Sequence, residues 1–242
     1  MDLNALAEQN RQKHIVENEY PGRGIIIGLN PSGTGLIQVY WVMGRSQNSQ
    51  NRVLVRDGDV VRTQPHDTAK CTDPSLIIYR AIARYKHFHI VSNGDQTDTI
   101  LDALQRGLDF ESALRTRQFE PDPPNFTPRI SGVLVFDSAC PSYKLSVLKA
   151  SLQNPDYPVS CLFGYSRFIP GFGHCIHTYK QNGDPIPSFE GEPYLVPLPE
   201  HAADIACYYW EALDTRNRVS LVVKRIDASS QQIAYEILNK WE

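Results

Sequence analysis

Eight short runs rich in β-branched and aromatic residues constrain this chain more than any other feature. Residues 24–29, 36–43, 52–56, 88–92, 130–136, 143–151, 172–179 and 218–226 each show the alternation or apolar density of a strand. Helical patterns are fewer. Asp73-Pro74 places a capping residue before a proline at a first helical position, and Ile77, Ile78, Ala81 and Ile82 follow at helix spacing, which predicts a helix over 74–85. Residues 97–106 carry Ile100, Leu101 and Leu104 on one side and stop at Gly107, a residue suited to a left-handed cap. Residues 201–213 and 230–241 also read as amphipathic helices. Strands outnumber helices, so the expected body is a layered, sheet-centred one with helices outside.

The chain has 242 residues, 41% of them hydrophobic and 21% charged, enough to build one large core. We find no repeat or linker, which favours a single domain over 23–242 preceded by an N-terminal extension over 1–22. Lys and Arg total 24 against 27 Asp and Glu, a formal charge of −3. That balance lacks the basic field of a nucleic-acid binder, so a phosphate-bearing ligand would need a local cluster of cations. No apolar run approaches the roughly 20 residues that span a bilayer, and the N-terminus is polar, so the expectation is a cytoplasmic protein without membrane contact. Five cysteines, odd in number and without a CxxC pair, read as buried thiols.

Three loops could carry chemistry. The stretch from Gly44 to Arg52 contains Arg45, Ser46, Asn51 and Arg52 and no acidic residue. Hydroxyls, amides and two fork-shaped guanidinium groups suit an anion, although a solvated hairpin would use the same residues. The stretch Ser92-Asn93-Gly94-Asp95-Gln96-Thr97-Asp98-Thr99 runs from a strand end into a helix start, where unpaired N–H groups can hold a polar ligand or simply be capped. Thr127-Pro128-Arg129 follows Glu120 in a proline-dense loop, where Arg129 could meet a ligand or a surface carboxylate. A metal site at His174-Cys175-Ile176-His177 is disfavoured, because on a strand the two histidines face opposite sides. No nucleophile elbow, Walker A or GxGxxG motif occurs.

Taken in order, the Arg45–Arg52 loop, Asp73-Pro74 with Tyr79, Ser92-Asn93-Gly94 with Thr97-Asp98-Thr99-Ile100, Thr127-Pro128-Arg129-Ile130, and Thr178-Tyr179 leading to Phe189-Glu190 resemble the archaeal-type IMP cyclohydrolase family. The resemblance implies an α+β fold, a four-layer αββα sandwich like that of N-terminal-nucleophile hydrolases. It implies closure of 5-formamidoimidazole-4-carboxamide ribonucleotide to IMP with loss of water, a cyclic-amidine hydrolase type of activity in purine biosynthesis, with neither metal nor cofactor. On this footing Tyr79 and Glu120 exchange protons, and Asn93 and Arg129 orient the carboxamide or stabilise the oxyanion. Arg45, Ser46, Asn51 and Arg52 hold the phosphate and nearby polar groups, and Gly94, Thr97, Asp98 and Thr127 complete the substrate contacts. The partner implied is a small purine ribonucleotide; the oligomeric state, a homo-oligomer included, stays open. Two other functions share this outline: a purine-nucleotide sensor without turnover, and an amide hydrolase on the same fold. The last needs a nucleophilic N-terminus, whereas about twenty residues precede the strand at Gly24.

Overall fold

A computed structural model describes residues 2–71, 77–136, 140–152 and 154–241. Two antiparallel sheets form its centre. The first has six strands in the order β11-β10-β1-β2-β12-β13: β1 (Gly24–Leu29), β2 (Gly35–Met43), β10 (Phe172–His177), β11 (Tyr194–Pro197), β12 (Arg218–Asp227) and β13 (Ile233–Asn239). The second has seven strands in sequence order: β3 (Val53–Asp57), β4 (Val60–Gln64), β5 (Arg80–Tyr85), β6 (Phe88–Ser92), β7 (Arg129–Val135), β8 (Ser142–Ala150) and β9 (Pro158–Tyr165). The α+β expectation holds.

Alternation along the strands sorts side chains into layers. Ile25, Ile27, Tyr40 and Val222 from the first sheet meet Ile82, Val91, Leu134 and Leu145 from the second in one buried cluster between the sheets. On the outer face of the first sheet, Ile26, Val39, Trp41 and Leu221 pack against α5 (Ala202–Ala212) and Ile15. On the outer face of the second, Ile90 and Val133 pack against α3 (Gln96–Gln105) and α4 (Phe110–Leu114). Strand β2 is buried along all nine residues because both its faces and both its edges are covered.

All eight predicted strands form, and β1 and β6 match to the residue. Two predicted helices do not. Residues 80–85 are strand β5, held in register between β4 and β6 with Ile82 opposite Val91; the Asp73-Pro74 start lies outside the described residues. Both faces of β5 are covered, Ala81 and Ile82 by the inter-sheet cluster and Ala83 by the α3 side, so its apolar positions do not show a period of two. Residues 233–239 are strand β13, paired to β12, with Ile233, Tyr235 and Ile237 turned toward the inter-sheet cluster. Strands β4, β9 and β11 and helix α1 (Leu3–Arg11) were not anticipated. The cysteines also depart from expectation: all five are free, but only Cys175 is buried, while Cys140 and Cys207 are exposed.

A sheet edge presents unpaired backbone groups. At one edge of the first sheet, α1 covers β11, with Asn10 Nδ2 donating to the Leu195 carbonyl at 3.0 Å. At the other, β13 meets β3 of the second sheet: Leu54 N donates to Asn239 Oδ1 at 2.9 Å and Asn239 Nδ2 returns a bond to the Leu54 carbonyl at 3.2 Å. The fourth edge, β9, has no partner but β8 among the described residues.

One charge is sealed between the sheets. Lys224, on β12, has no exposed surface, and its Nζ finds no hydrogen-bond partner among the described residues. Burial, with Arg84 adding to it against Asp59, lowers its pKa from 10.5 to about 7. Between these values the folded chain has released a proton that the unfolded chain still holds, so stability rises with pH across that window, and the full penalty applies below it. Lys224→Met is therefore expected to stabilise the protein by a few kcal/mol at pH 7 and by much less at pH 9.5. Urea denaturation at the two pH values checks this; an equal effect at both would contradict the buried, neutralised lysine.

Candidate active site

Where β1 starts, β2 ends and β10 ends, loops enclose a cleft of about 300 Å³ lined by Tyr20, Arg23, Arg45, Ser46, Arg52, Glu120, Thr127 and Tyr179, among others. At its base Arg23 Nη2 donates to both Glu120 oxygens at 3.3 Å. Both residues are buried, Arg23 at 8% exposure and Glu120 at 3%. Burial raises the Glu120 carboxyl above its ordinary value, with Arg23 and then Arg129 pulling the other way. Burial also opposes the charge on Arg23, but Glu120 and the Tyr179, Tyr79 and Tyr20 hydroxyls outweigh it and hold the guanidinium protonated.

Local chain geometry sets this pair. Gly22 takes a positive φ of 76°, and a Cβ there would lie 2.1 Å from Thr178 Oγ1 and 2.5 Å from the Tyr179 ring. Only glycine lets the chain pass under those side chains. Arg23 N then donates to Thr178 Oγ1 at 3.1 Å, and Thr178 N to the Arg23 carbonyl at 2.9 Å. Across the cleft Glu120 N bonds the Thr127 carbonyl at 2.9 Å. Thr127 Oγ1 donates to Asp122 Oδ2 at 2.5 Å and lies 2.6 Å from the Tyr179 hydroxyl. Burial pushes that phenol up to about 12, with Arg23 drawing it back.

The Arg45–Arg52 loop forms another wall. Ser46 caps the one-turn helix α2 (Gln47–Gln50), with Ser49 N donating to Ser46 Oγ at 3.1 Å. Arg45 Nη1 donates to Asn182 Oδ1 at 2.8 Å and to the Gly183 carbonyl at 3.0 Å, with its guanidinium 5.1 Å from the Tyr20 ring centre. Arg52 is 2% exposed, and its Nε donates to the Ser49 carbonyl at 2.8 Å. Tyr79 stands behind this wall, buried, its hydroxyl 2.7 Å from that of Tyr40. Both Arg23 and Arg52 act on Tyr40 electrostatically, though burial and Tyr79 dominate and raise its pKa.

The remaining predicted residues fall into two groups. Arg129 acts on Glu120 but gives its Nη1 to Asp95 Oδ1 at 2.6 Å and Gln96 Oε1 at 2.9 Å. Gly94 makes room for it, since a Cβ there would lie 2.6 Å from Arg129 Nη1. Asn93 does not face the cleft: its Oδ1 accepts from Ile130 N at 2.8 Å and Gln96 Nε2 at 2.9 Å, and its Nδ2 donates to the Pro128 carbonyl at 2.9 Å. It ties β6 to β7, and in this arrangement is not available to orient a carboxamide. Thr97 is buried against Ser92 Oγ at the start of α3, and Asp98 points outward to Arg80 Nε at 2.6 Å. Asn51 turns to the back of its loop, where Nδ2 donates to the Asp67 carbonyl at 2.7 Å. There it lines a separate hollow of about 250 Å³ with His66 and Trp241.

Sequence reasoning missed Arg23, Tyr20, Asp122 and Asn125 as cleft residues. Arg23 had one available signal, an arginine between two glycines at the head of the first strand. His174 and His177 do face opposite ways: His174 Nδ1 lies 2.6 Å from the Tyr143 hydroxyl, and His177 Nδ1 lies 2.8 Å from the Tyr179 carbonyl.

A family model described as IMP cyclohydrolase-like protein matches residues 20–231. Proteins named IMP cyclohydrolase are similar in sequence. The one from Methanococcus maripaludis strain C7 is 34% identical over 129 residues, 51% of this chain and 62% of that one. The one from Methanopyrus kandleri is 36% identical over 116 residues, 46% and 57% of the two chains. The one from Methanothrix thermoacetophila is 33% identical over 159 residues, 62% and 77%. The chain thus spans 62% of the length of the Methanococcus maripaludis relative. Since the family match covers every strand but β13 and every residue lining the cleft, the chain belongs to the IMP cyclohydrolase-like protein family.

Proposed function

We propose that this protein is an IMP cyclohydrolase, closing 5-formamidoimidazole-4-carboxamide ribonucleotide to IMP with release of water. The observation that carries the reading is one cleft holding three guanidinium groups, Arg23, Arg45 and Arg52, beside a carboxyl that burial keeps protonated to higher pH. A chain of net charge −3 does not attract a phosphate as a whole, so a local cluster of this kind is what an anionic nucleotide requires. We further propose that residues 23–242 act as one domain with 1–22 as an extension, and that the sheet sandwich with outer helices is of the N-terminal-nucleophile-hydrolase type.

In the reaction, the carboxamide nitrogen attacks the formyl carbon of the same molecule. The C–N bond forms as the C=O π pair moves to oxygen, the nitrogen gives up a proton and the oxygen gains one; in the resulting carbinolamine the C–O bond then breaks, the hydroxyl taking a second proton to leave as water while the former formamide N–H loses its proton and its electron pair forms the C=N bond of the aromatic ring. The protein's work is to hold nitrogen and carbon about 3 to 3.5 Å apart, to favour charge on oxygen and to move protons. Arg45 and Arg52, with Ser46, hold the phosphate. Glu120, made more basic than a surface carboxylate by burial, takes the proton from nitrogen and delivers it to the formyl oxygen. Arg23 positions Glu120, and Tyr79 with Tyr40 forms a second proton relay. Arg129 tempers Glu120 through its charge from the second row.

Three outcomes are expected. Purified protein given the formylated ribonucleotide with chelator present forms IMP, followed by its ultraviolet absorbance; binding of IMP without product formation would favour a sensor instead. Within that assay Arg45→Ala raises KM by ~10- to 100-fold with little change in kcat, the loss of a charge-assisted hydrogen bond. Glu120→Gln lowers kcat by ~10²- to 10⁴-fold with a smaller effect on KM, the usual range for general acid–base help. An unchanged kcat in Glu120→Gln removes it as the proton carrier.

A further inference from the structure

Three of the four sheet edges are closed within the chain, and the fourth is built to be open. Helix α1 covers β11, and β3 and β13 face each other through Asn239 and Leu54. Strand β9 runs eight residues, Pro-Val-Ser-Cys-Leu-Phe-Gly-Tyr, and bonds only to β8 among the described residues. In an antiparallel ladder alternate residues of an edge strand turn their N–H and C=O groups outward, so β9 offers a row of unpaired donors and acceptors.

Proteins normally blunt such an edge with charge, a bulge or an internal proline. Strand β9 has none of these: it contains no Asp, Glu, Lys or Arg, its pairing to β8 runs without a register shift from Tyr143–Tyr165 to Ala150–Pro158, and its one proline stands at the first position. Val159 and Leu162 are exposed on it, and Tyr157 just before it is 68% exposed. Of the edges closed inside the chain, β3 carries Arg56 and Asp57 and β13 carries Glu236, while β11, which has no charge, is only four residues long and lies under α1.

We propose that β9 pairs antiparallel with β9 of a second copy across a two-fold axis, joining the two seven-stranded sheets into one. A second copy is the occupant because the edge is complementary to itself. Antiparallel pairing is the only strand pairing a two-fold perpendicular to the sheet allows, and it brings each strand against its own sequence reversed. With the axis at Leu162, Cys161 faces Phe163, Ser160 faces Gly164 and Val159 faces Tyr165, so apolar meets apolar and small meets small. With no charge on the strand, no like charges are brought together at any register. The candidate cleft draws no residue from β9, so pairing leaves its mouth untouched.

Sedimentation equilibrium of the full chain over a wide concentration range tests the proposal. The expected result is a dimer that Val159→Lys with Leu162→Lys converts to monomer, weakening association by at least ~100-fold, with circular dichroism and nucleotide turnover as in the unaltered chain. Hydrogen exchange on the unaltered protein gives a second readout that needs no variant: alternate amides of β9 become protected as concentration rises into the dimer range. A chain that stays monomeric at every concentration, or a dimer that survives both lysines with β9 amides unprotected, overturns the pairing.

Discussion

A guanidinium and a carboxylate held away from water at the end of two packed sheets are the constraint from which the site follows. Removing both Arg23 and Glu120 from solvent costs several kcal/mol per ion before their attraction is counted, and a long contact in which one nitrogen is shared between both oxygens at 3.3 Å offsets this only in part. Such a pair persists because the backbone around it is held independently. The Gly22 turn, the Thr178 bonds and the Glu120–Thr127 ladder fix the two main chains whether or not the ion pair is optimal. Extra guanidinium groups near the pair, Arg52 and Arg129, keep the local potential positive, which suits an anionic guest better than it suits the empty protein.

Beside the cleft, outside its lining, lies a set of residues that decides where the cleft residues sit. Asn93 bridges two strands, Gly94 gives Arg129 room, and Asp95 draws Arg129 and Arg117 together, its carboxyl held low by those two arginines against the opposing effect of burial. Sequence inspection grouped Asn93, Gly94 and Arg129 with the ligand-binding set because they lie in polar loops. Their separate role follows from saturation: Asn93 spends its oxygen and one amide hydrogen on backbone and Gln96.

Legibility in the sequence tracked how directly a residue's environment repeats along the chain. Strands such as β1 and β6 carry dense β-branched runs and were located to the residue. Strand β5 was read as a helix because a strand covered on both faces shows no period of two, leaving the accidental spacing of Ile77, Ile78, Ala81 and Ile82 to suggest 3.6. Strand β13 failed for the opposite reason, since its half-buried, mixed pattern fits either period. In the site, Arg45, Ser46, Arg52, Glu120 and Thr127 were legible because loops rich in polar donors stand out between apolar strands. Arg23 was not, because a lone arginine acquires its meaning from Glu120, 97 positions away.

The cleft collects side chains from positions 20 to 23, 45 to 52, 77, 120 to 127 and 179 to 186, so its walls come from loops attached to both sheets and separated by up to 166 positions in the chain. No contiguous fragment can carry a partial version of it. The pocket is therefore an all-or-nothing product of the final docking of one sheet upon the other, and ligand affinity gauges completed assembly as much as it gauges chemistry. Any ligand that fills it and binds the finished sandwich alone acts as a clasp on the native state.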